Sequence, residues 1–282
     1  IAVPALISAS GRTDFYFTLT SVAILSIASA GVWLTFYIGR INIGQGAFAL
    51  IGAYVSAILV TKAGMSFWLS LPFAGLFAAL VAILIGLPIL RLRGVYFAMI
   101  TLVLTQVVTL TALALPITNG AKGITSIPLP GELSIFGLTL VPDFGSLDNS
   151  RLAFYYTACL LMVLTFAGMY RLVNSRLGHL CRSMQQNEEL ASSIGVNIAY
   201  VRIIVFAISS FLGGIAGAMF GWAQLTVDEY PWGFWFIPGA AALYAFVYGA
   251  AVIGQGLTAD EMYELRALVD EACEGCRRRP AD

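Results

Sequence analysis

Three groups of polar residues stand out in a chain otherwise made of apolar runs. Asn42 and Gln45 lie three apart in the glycine-rich stretch Gly39-Arg40-Ile41-Asn42-Ile43-Gly44-Gln45-Gly46. Thr101, Thr105 and Thr109 recur every fourth residue, with Gln106 off to one side. Residues 174–197, NSRLGHLCRSMQQNEELASSIGVN, gather Arg176, His179 (the only histidine), Arg182, Glu188 and Glu189. The first two groups offer hydrogen bonds to a polar solute and the third offers charge. None forms a catalytic dyad or a metal-ligand set, so we read a non-enzyme with no metal. The two lysines, Lys62 and Lys122, lie outside any GxxxxGK[ST] pattern, so the chain has no P-loop and cannot hydrolyse ATP by one. Cys273 and Cys276 make a CxxC that by itself is a weak signal for metal or redox work.

The elements that must position these residues follow from composition. Soluble domains carry about 45–50% apolar and about 25% charged residues; this chain is 59% apolar and 11% charged. Seven stretches, 15–39, 41–61, 67–90, 94–116, 152–170, 203–222 and 235–257, contain no Asp, Glu, Lys, Arg or His. Each is close to the ~20 apolar residues that cross a bilayer core as a helix. The expected fold class is an all-α integral membrane protein, a polytopic bundle of about seven or more spans. Its net charge of zero gives no electrostatic case for nucleic acid. The four cysteines are scattered and suggest no disulfide framework. The chain begins at Ile1, which leaves the natural N-terminus open, and residues 1–11 lack the charged start of a signal peptide.

The first two spans are separated only by Arg40, and two full helices cannot reverse over one residue. The glycines at 39, 44 and 46 permit unusual backbone angles. We expect a discontinuous segment near 39–46, with non-helical backbone buried in protein or lining a cavity. Cytoplasmic loops are enriched in Lys and Arg. Placing 174–197 inside puts Arg40, Arg91, Arg93, Arg171, Arg176, Arg182, Arg202 and the four arginines of the tail on that side, against Arg12, Lys62, Lys122 and Arg151 outside. The N-terminus is then outside and the C-terminus cytoplasmic. The proline- and glycine-bearing stretch 117–150 is expected to be an outer surface loop.

Small residues recur at helical spacing. Gly213, Gly217 and Gly221 share one face of 203–222, and Ala74, Ala78, Ala82 and Gly86 share one face of 67–90. Such faces let helix backbones approach closely, either as plain packing or as a gliding surface. The threonine stripe either bonds the carbonyls of its own helix or lines a polar path. Asn42, Gln45, Thr101, Thr105 and Gln106 are the candidate substrate-pathway residues. The expected spans contain no ionisable residue to serve as a proton or ion relay. If transport is active, energy enters through a separate subunit docking on the cytoplasmic side. In 174–197, Asn174 and Ser175 are good N-cap types, and Leu177, Leu180, Cys181 and Met184 fall on one helical side. Asn187 and Glu188 interrupt that stripe, and Gly195 suits a helix stop. Two short helices or a bend are expected, serving as either a membrane-surface connector or a docking element.

Four blocks then carry a resemblance. SRLGHLCRSMQQNEELASSIGVN, followed by FAISSFLGGIAGAMF, resembles the cytoplasmic segment of permease subunits of branched-chain amino acid ABC importers, the Liv type. That segment runs roughly S-R-x-G-R-x-x-x-A-I-x-x-N-E-x-A-A-x-x-x-G-I. GRINIGQGAFALIGAY, RLRGVYFAMITLVLTQVV and TNGAKGITSIPLP are similar to three further blocks of the family, in family order over about residues 30–222. The resemblance implies a permease in a bacterial-type inner membrane that pairs with a second permease. It also implies a periplasmic binding protein that delivers ligand and cytoplasmic ATPase subunits that use ATP. Asn187, Glu188, Ala191 and Gly195 match the ATPase-coupling segment, with Arg176 and Arg182 beside them. Gly39, Gly44, Ala47 and Phe48 match the first block.

The family's usual Gln, Ser and His in that first block are replaced by Arg40, Asn42 and Gln45, which bears on the substrate. Relatives of this type also import urea, short amides or other small amino acids. Ser192 and Ser193 replace a more usual Glu-Ala pair. After about residue 225 the pattern fades. The tail has a capping-box spacing at Thr258 and Glu261 and an apolar face of Met262, Leu265, Val269 and Ala272. It reads either as a surface helix or as an altered C-terminus. The domains expected are a permease domain, 1–257, including the 174–197 coupling loop, and a cytoplasmic tail, 258–282. The function expected is translocation of branched-chain or related small amino acids by alternating access, with energy from separate ATPase subunits. A stand-alone carrier or channel for a small polar solute is the alternative.

Overall fold

A computed structural model describes residues 14–40, 42–90, 92, 95–120, 123–125, 133–135, 138–141, 150–186, 188–193, 195–224 and 226–227. All of them lie in one compact unit, 1–241; a second unit, 242–282, lies outside the described residues. So do the expected seventh span, the cytoplasmic tail and its CxxC.

Helices dominate, in the order α1 Asp14–Phe36, α2 Gln45–Thr61, α3 Phe67–Ile89, α4 Val95–Ala114, α5 Ser150–Val173, α6 Arg176–Gln186, α7 Glu188–Ser193 and α8 Ile198–Gln224. Five of these, α1, α3, α4, α5 and α8, are long and apolar enough to cross a membrane. α2 has 17 residues, about 26 Å at 1.5 Å per residue, somewhat short of the ~30 Å hydrocarbon core. The protein is therefore an all-α polytopic membrane protein. The stretch after α4 holds a 3₁₀ turn, Pro116–Thr118, and short strands β1 Ile124–Thr125, β2 Leu133–Ile135 and β3 Leu138–Val141. β2 and β3 form an antiparallel hairpin. β1 pairs antiparallel with β4, Thr226–Val227, just beyond α8. No α-helix lies among the described residues of 119–149.

The reversal between the first two spans takes place in residues 37–44. α1 ends at Phe36, earlier than 39, because Gly39 adopts φ +75°. Its N–H donates to Phe36 O at 2.8 Å and the Arg40 N–H donates to Thr35 O at 3.1 Å. This is a glycine-terminated stop that satisfies two orphan carbonyls. The same device closes α7: Gly195 has φ +87°, and the Gly195 and Val196 N–H groups donate to Ser192 O and Ala191 O. Gly195 thus terminates the helix as its sequence position suggested.

The 174–197 stretch does form two short helices. Its first cap differs from expectation. The Ser175 hydroxyl donates back to Leu172 O at 2.6 Å, because α5 runs on to Val173 and leaves a terminal carbonyl to satisfy. The side chain that caps a helix here is Asn197, whose Oδ1 accepts the Tyr200 N–H at 3.1 Å at the start of α8.

α8 is the central helix and packs against α1, α2 and α3. Its small residues set the distances. A Cβ on Gly217 would strike the backbone of Ala49, and one on Gly52 would strike the backbone of Gly214. A Cβ on Gly214 would lie 2.7 Å from Ala78 Cβ. The expected faces are therefore packing faces: Gly213, Gly217 and Gly221 are buried on α8, and Ala74, Ala78, Ala82 and Gly86 are buried on α3. Around them, Phe48, Phe97 and Phe206 meet edge to face, with centroids 5.4 and 6.1 Å apart. Trp222 closes the Thr61 end of the bundle. It donates to Ser56 Oγ at 3.0 Å and lies 4.7 Å from the Phe67 ring. Large apolar side chains such as Leu84, Leu110 and Leu160 remain exposed on α3, α4 and α5.

Gly217→Val is expected to destabilise the bundle by more than about 2 kcal/mol, because backbone rather than a flexible side chain occupies the space. Gly168→Ala, on α5 where a Cβ meets nothing within 4 Å, should change stability by less than about 1 kcal/mol. Thermal unfolding of the detergent-solubilised chain measures both.

Candidate functional site: the helix break and its braces

Non-helical backbone near a bilayer must find partners inside the protein; in the 37–44 connector Asn42 and Thr101 answer backbone N–H groups directly, and Gln45 ties Asn42 on to Ser209. Asn42 Oδ1 accepts the Gly44 N–H at 3.0 Å, and Asn42 Nδ2 donates to Gln45 Oε1 at 3.2 Å. Gln45 Nε2 donates to Ser209 O at 2.9 Å. The Ser209 hydroxyl lies 2.7 Å from Gly31 O and 3.2 Å from Gln45 Oε1. From α4, Thr101 Oγ1 accepts the Ile43 N–H at 3.2 Å. Asn42 and Gln45 are each 1% exposed, and Thr101 and Ser209 are fully buried. The network ties α1, the connector, α4 and α8 together. It needs glycine at two points, since a Cβ on Gly31 or Gly213 would collide with the Gln45 amide.

Of the five pathway candidates, the structure brings Asn42, Gln45 and Thr101 into one network. Thr105 is buried one turn on, and its hydroxyl donates to Thr101 O at 3.2 Å; Thr109 repeats the pattern toward Thr105 O. The stripe thus satisfies its own helix carbonyls. Gln106 is not part of the cluster and lies on the exposed side of α4. Ser209 belongs to the network and was missed from sequence. Its only signal was a hydroxyl in an apolar helix, and Ser26, Ser29 and Ser210 show the same signal without meeting the break.

A second cluster adjoins the first. Glu188, at the start of α7, forms ion pairs with Arg202 of α8 and with Arg40 of the connector, the latter at 3.7 Å. Arg40 also donates from Nη1 to Leu92 O and lies 5.9 Å from the Phe97 ring centroid. The Arg40 side chain is 3% exposed, that of Arg202 10% and that of Glu188 29%. Arg202 Nε has no hydrogen-bond partner among the described residues, so the carboxylate carries most of that guanidinium's compensation. One span differs from expectation here. α8 begins at Ile198, earlier than 203, and so takes in Arg202. Its charge is tolerated near the helix end because Glu188 meets it.

The other coupling candidates sit on the same helix pair. Gly178, Cys181 and Met184 of α6 and Ala191 of α7 are buried against the bundle, while Arg176 is exposed. Arg182 is exposed too, with Nε donating to Tyr37 OH at 3.1 Å. Gly195 is exposed at the stop, and Asn187 lies outside the described residues. Burial pushes the Cys181 thiol up to about 11, so it is an unreactive packing group. Among the described residues no cluster of three His, Cys, Asp or Glu side chains could hold a metal ion.

A bundle of apolar spans, a connector held by buried polar side chains and a short helix pair braced to it make up a polytopic membrane protein. The chain belongs to the branched-chain amino acid transport system / permease component family, whose model matches residues 15–256; that family is a transport component, not an enzyme. It is 34% identical to the high-affinity branched-chain amino acid transport system permease protein LivM of Escherichia coli, over 88% of this chain and 60% of that protein. It is 35% identical to LivM of Salmonella typhimurium, over 75% of this chain and 52% of that protein. It is also similar, at 26% identity over 72% of the chain, to the guanosine ABC transporter permease protein NupQ of Bacillus subtilis. The chain thus spans between half and two thirds of the length of the LivM proteins. No solved structure matches it.

Gln45→Leu is expected to cost about 1–3 kcal/mol, because it strands buried partners at Asn42 and Ser209. Gln106→Leu, outside the network, should be within about 0.5 kcal/mol of wild type. The thermal midpoints of the two variants in one detergent check the contrast.

Proposed function

We propose that the chain is a membrane-spanning permease subunit of an ATP-driven importer that translocates branched-chain or related small amino acids by alternating access. It works with a second permease, cytoplasmic ATPase subunits and an extracytoplasmic substrate-binding protein. The chain itself holds no nucleotide; ATP is used by the partners. The protein sits in a bacterial-type inner membrane, with the α6–α7 end and the C-terminus cytoplasmic and the N-terminus outside, as the arginine bias of the loops favours.

The observation that carries this reading is the brace between the helix pair and the helix break. α6 and α7 lie on the bundle by an apolar underside and turn Arg176 and Arg182 to the surface, where an ATPase can dock. Glu188, the match to the family's coupling glutamate, faces inward onto Arg40 and Arg202. Its role is then to transmit the motion of the docked pair, while the exposed arginines grip. Asn42, Gln45, Thr101, Thr105 and Ser209 surround the break that opens the path, and Gln106 lies on the exposed side of α4. The internally bonded network corresponds to a closed state. A polar solute passes when Asn42 and Gln45 exchange these bonds for bonds to it.

The test is uptake into vesicles holding the chain with its partner subunits and binding protein. Labelled leucine or valine should accumulate only with ATP inside the compartment that bears α6 and α7, and dissipating ion gradients should leave uptake unchanged. Guanosine in excess reports whether the nucleoside-type relatives share the substrate. Arg176→Glu should reduce ATPase co-purification several-fold, since a surface charge reversal acts mainly on association. Uptake by this chain alone without ATP would replace the reading with a stand-alone carrier.

A further inference from the structure

Three separate elements converge on one carboxylate. Glu188 opens α7, Arg40 lies in the connector two residues before Asn42, and Arg202 lies on α8 two turns before Ser209. Arg202 is therefore a short, stiff distance from the hydrogen-bond network at the break, about 10 Å along the helix axis, and Arg40 is two residues from it in sequence. Arg40 extends the junction to a fourth element, through Leu92 O and the Phe97 ring at the start of α4. The remaining contacts of the helix pair with the bundle are mostly of another kind. Cys181, Met184 and Ala191 pack with Leu34, Ile38, Val201 and Val205, and apolar contact is non-directional. It holds the pair down without fixing how a displacement is passed on. The Arg202–Glu188 contact is a charge-assisted hydrogen bond and so directional; Arg40 Nη2, at 3.7 Å, adds attraction to the same carboxylate from the connector.

We propose that Arg40 and Arg202 are positioning residues that act through Glu188. The triad yokes the α6–α7 pair to the helix break and to α8, so that movement of the pair is delivered to Asn42, Gln45 and Ser209. Its use in transport rests on the permease reading above; the yoke itself does not. The glycine stops at Gly39 and Gly195 flank the yoked segments on two sides and supply places where the backbone turns. Asn42 and Gln45 then move with Arg40, and Ser209 with Arg202, so a change in the spacing of the two arginines changes the length of the Gln45-to-Ser209 bond.

Cys181 supplies a reporter that needs no partner protein. It is fully buried under α6, and burial holds its thiol at about 11, so in the resting chain it reacts slowly with a thiol reagent. The experiment uses the full chain in membranes, with Cys159→Ser, Cys273→Ser and Cys276→Ser, and a membrane-impermeant maleimide. Glu188→Gln should raise the rate of Cys181 labelling about tenfold or more by letting the helix pair lift. Arg40→Gln and Arg202→Gln should raise it in the same direction. The double variant Arg40→Gln with Glu188→Gln should be no faster than the faster single, because both remove one shared interaction.

Glu188→Asp keeps the charge and shortens the reach, so it should fall between wild type and Glu188→Gln; it also decides the matter if Glu188→Gln fails to accumulate. In vesicles with the ATPase, the same variants should lower uptake per ATP hydrolysed. Wild-type labelling rates in Glu188→Gln, or in Glu188→Asp where Glu188→Gln does not accumulate, would overturn the yoke. Multiplied effects in the double variant would do the same, and an unchanged uptake-to-hydrolysis ratio would overturn its use in transport. Because labelling is read on this chain alone, a failure of the ATP-driven reading leaves that result standing.

Discussion

The approach of α8 to α2 and α3 is the constraint from which the rest of the bundle follows. Backbone lies against backbone at Gly217 and Ala49, and again at Gly52 and Gly214. Lipid is as apolar as the side chains of these helices, so burial alone cannot hold them together; close contact between small residues can. Once α8 sits there, Ser209 is brought beside Gln45 and Trp222 beside Ser56. Bulkier residues at these positions would push the helices apart by more than the tolerance of a hydrogen bond. The polar features of the protein are thus consequences of glycine and alanine.

Given that packing, the helix break is tolerable because its backbone groups are answered. The Gly44 N–H meets Asn42, the Ile43 N–H meets Thr101, and the end of α1 is closed by Gly39. The partners come from the connector itself and from α4, and Gln45 links Asn42 on to α8, so the break is not a local property. It exists as a defined structure only while three other elements stay in register. That dependence couples the elements: shifting one of them loosens the polar groups of the network together.

The ion-pair triad gives the membrane edge a different character from the rest of the molecule. Two guanidiniums share one carboxylate, and only the carboxylate keeps substantial contact with solvent, at 29% exposure. An apolar junction would also be stable there. Charge adds direction and links the surface helix pair to the interior. The apolar underside around Cys181 and Met184 holds the same pair down without specifying what it pulls on.

Much of this was legible from residue order. Runs without charge marked the spans, because burial of ionised groups in hydrocarbon is prohibitive. Gly195 marked a stop and Gly39 the region of the break, since few other residues take a positive φ. The interruption at Asn187 and Glu188 marked two helices. Helix faces at Gly213 and Ala74 marked close packing, because a four-residue period repeats on one side of a helix. What residue order could not reveal was pairing across distance. Ser209 looks like any hydroxyl in an apolar helix until Gln45 arrives from 164 residues away. Arg40 and Arg202 look like loop charges and Glu188 like a surface acid. Which of them meet depends on how far α8 rotates and slides against α1 and α2. Periodicity along one chain determines which face of a helix is small, polar or charged; only three-dimensional packing decides which other face it touches.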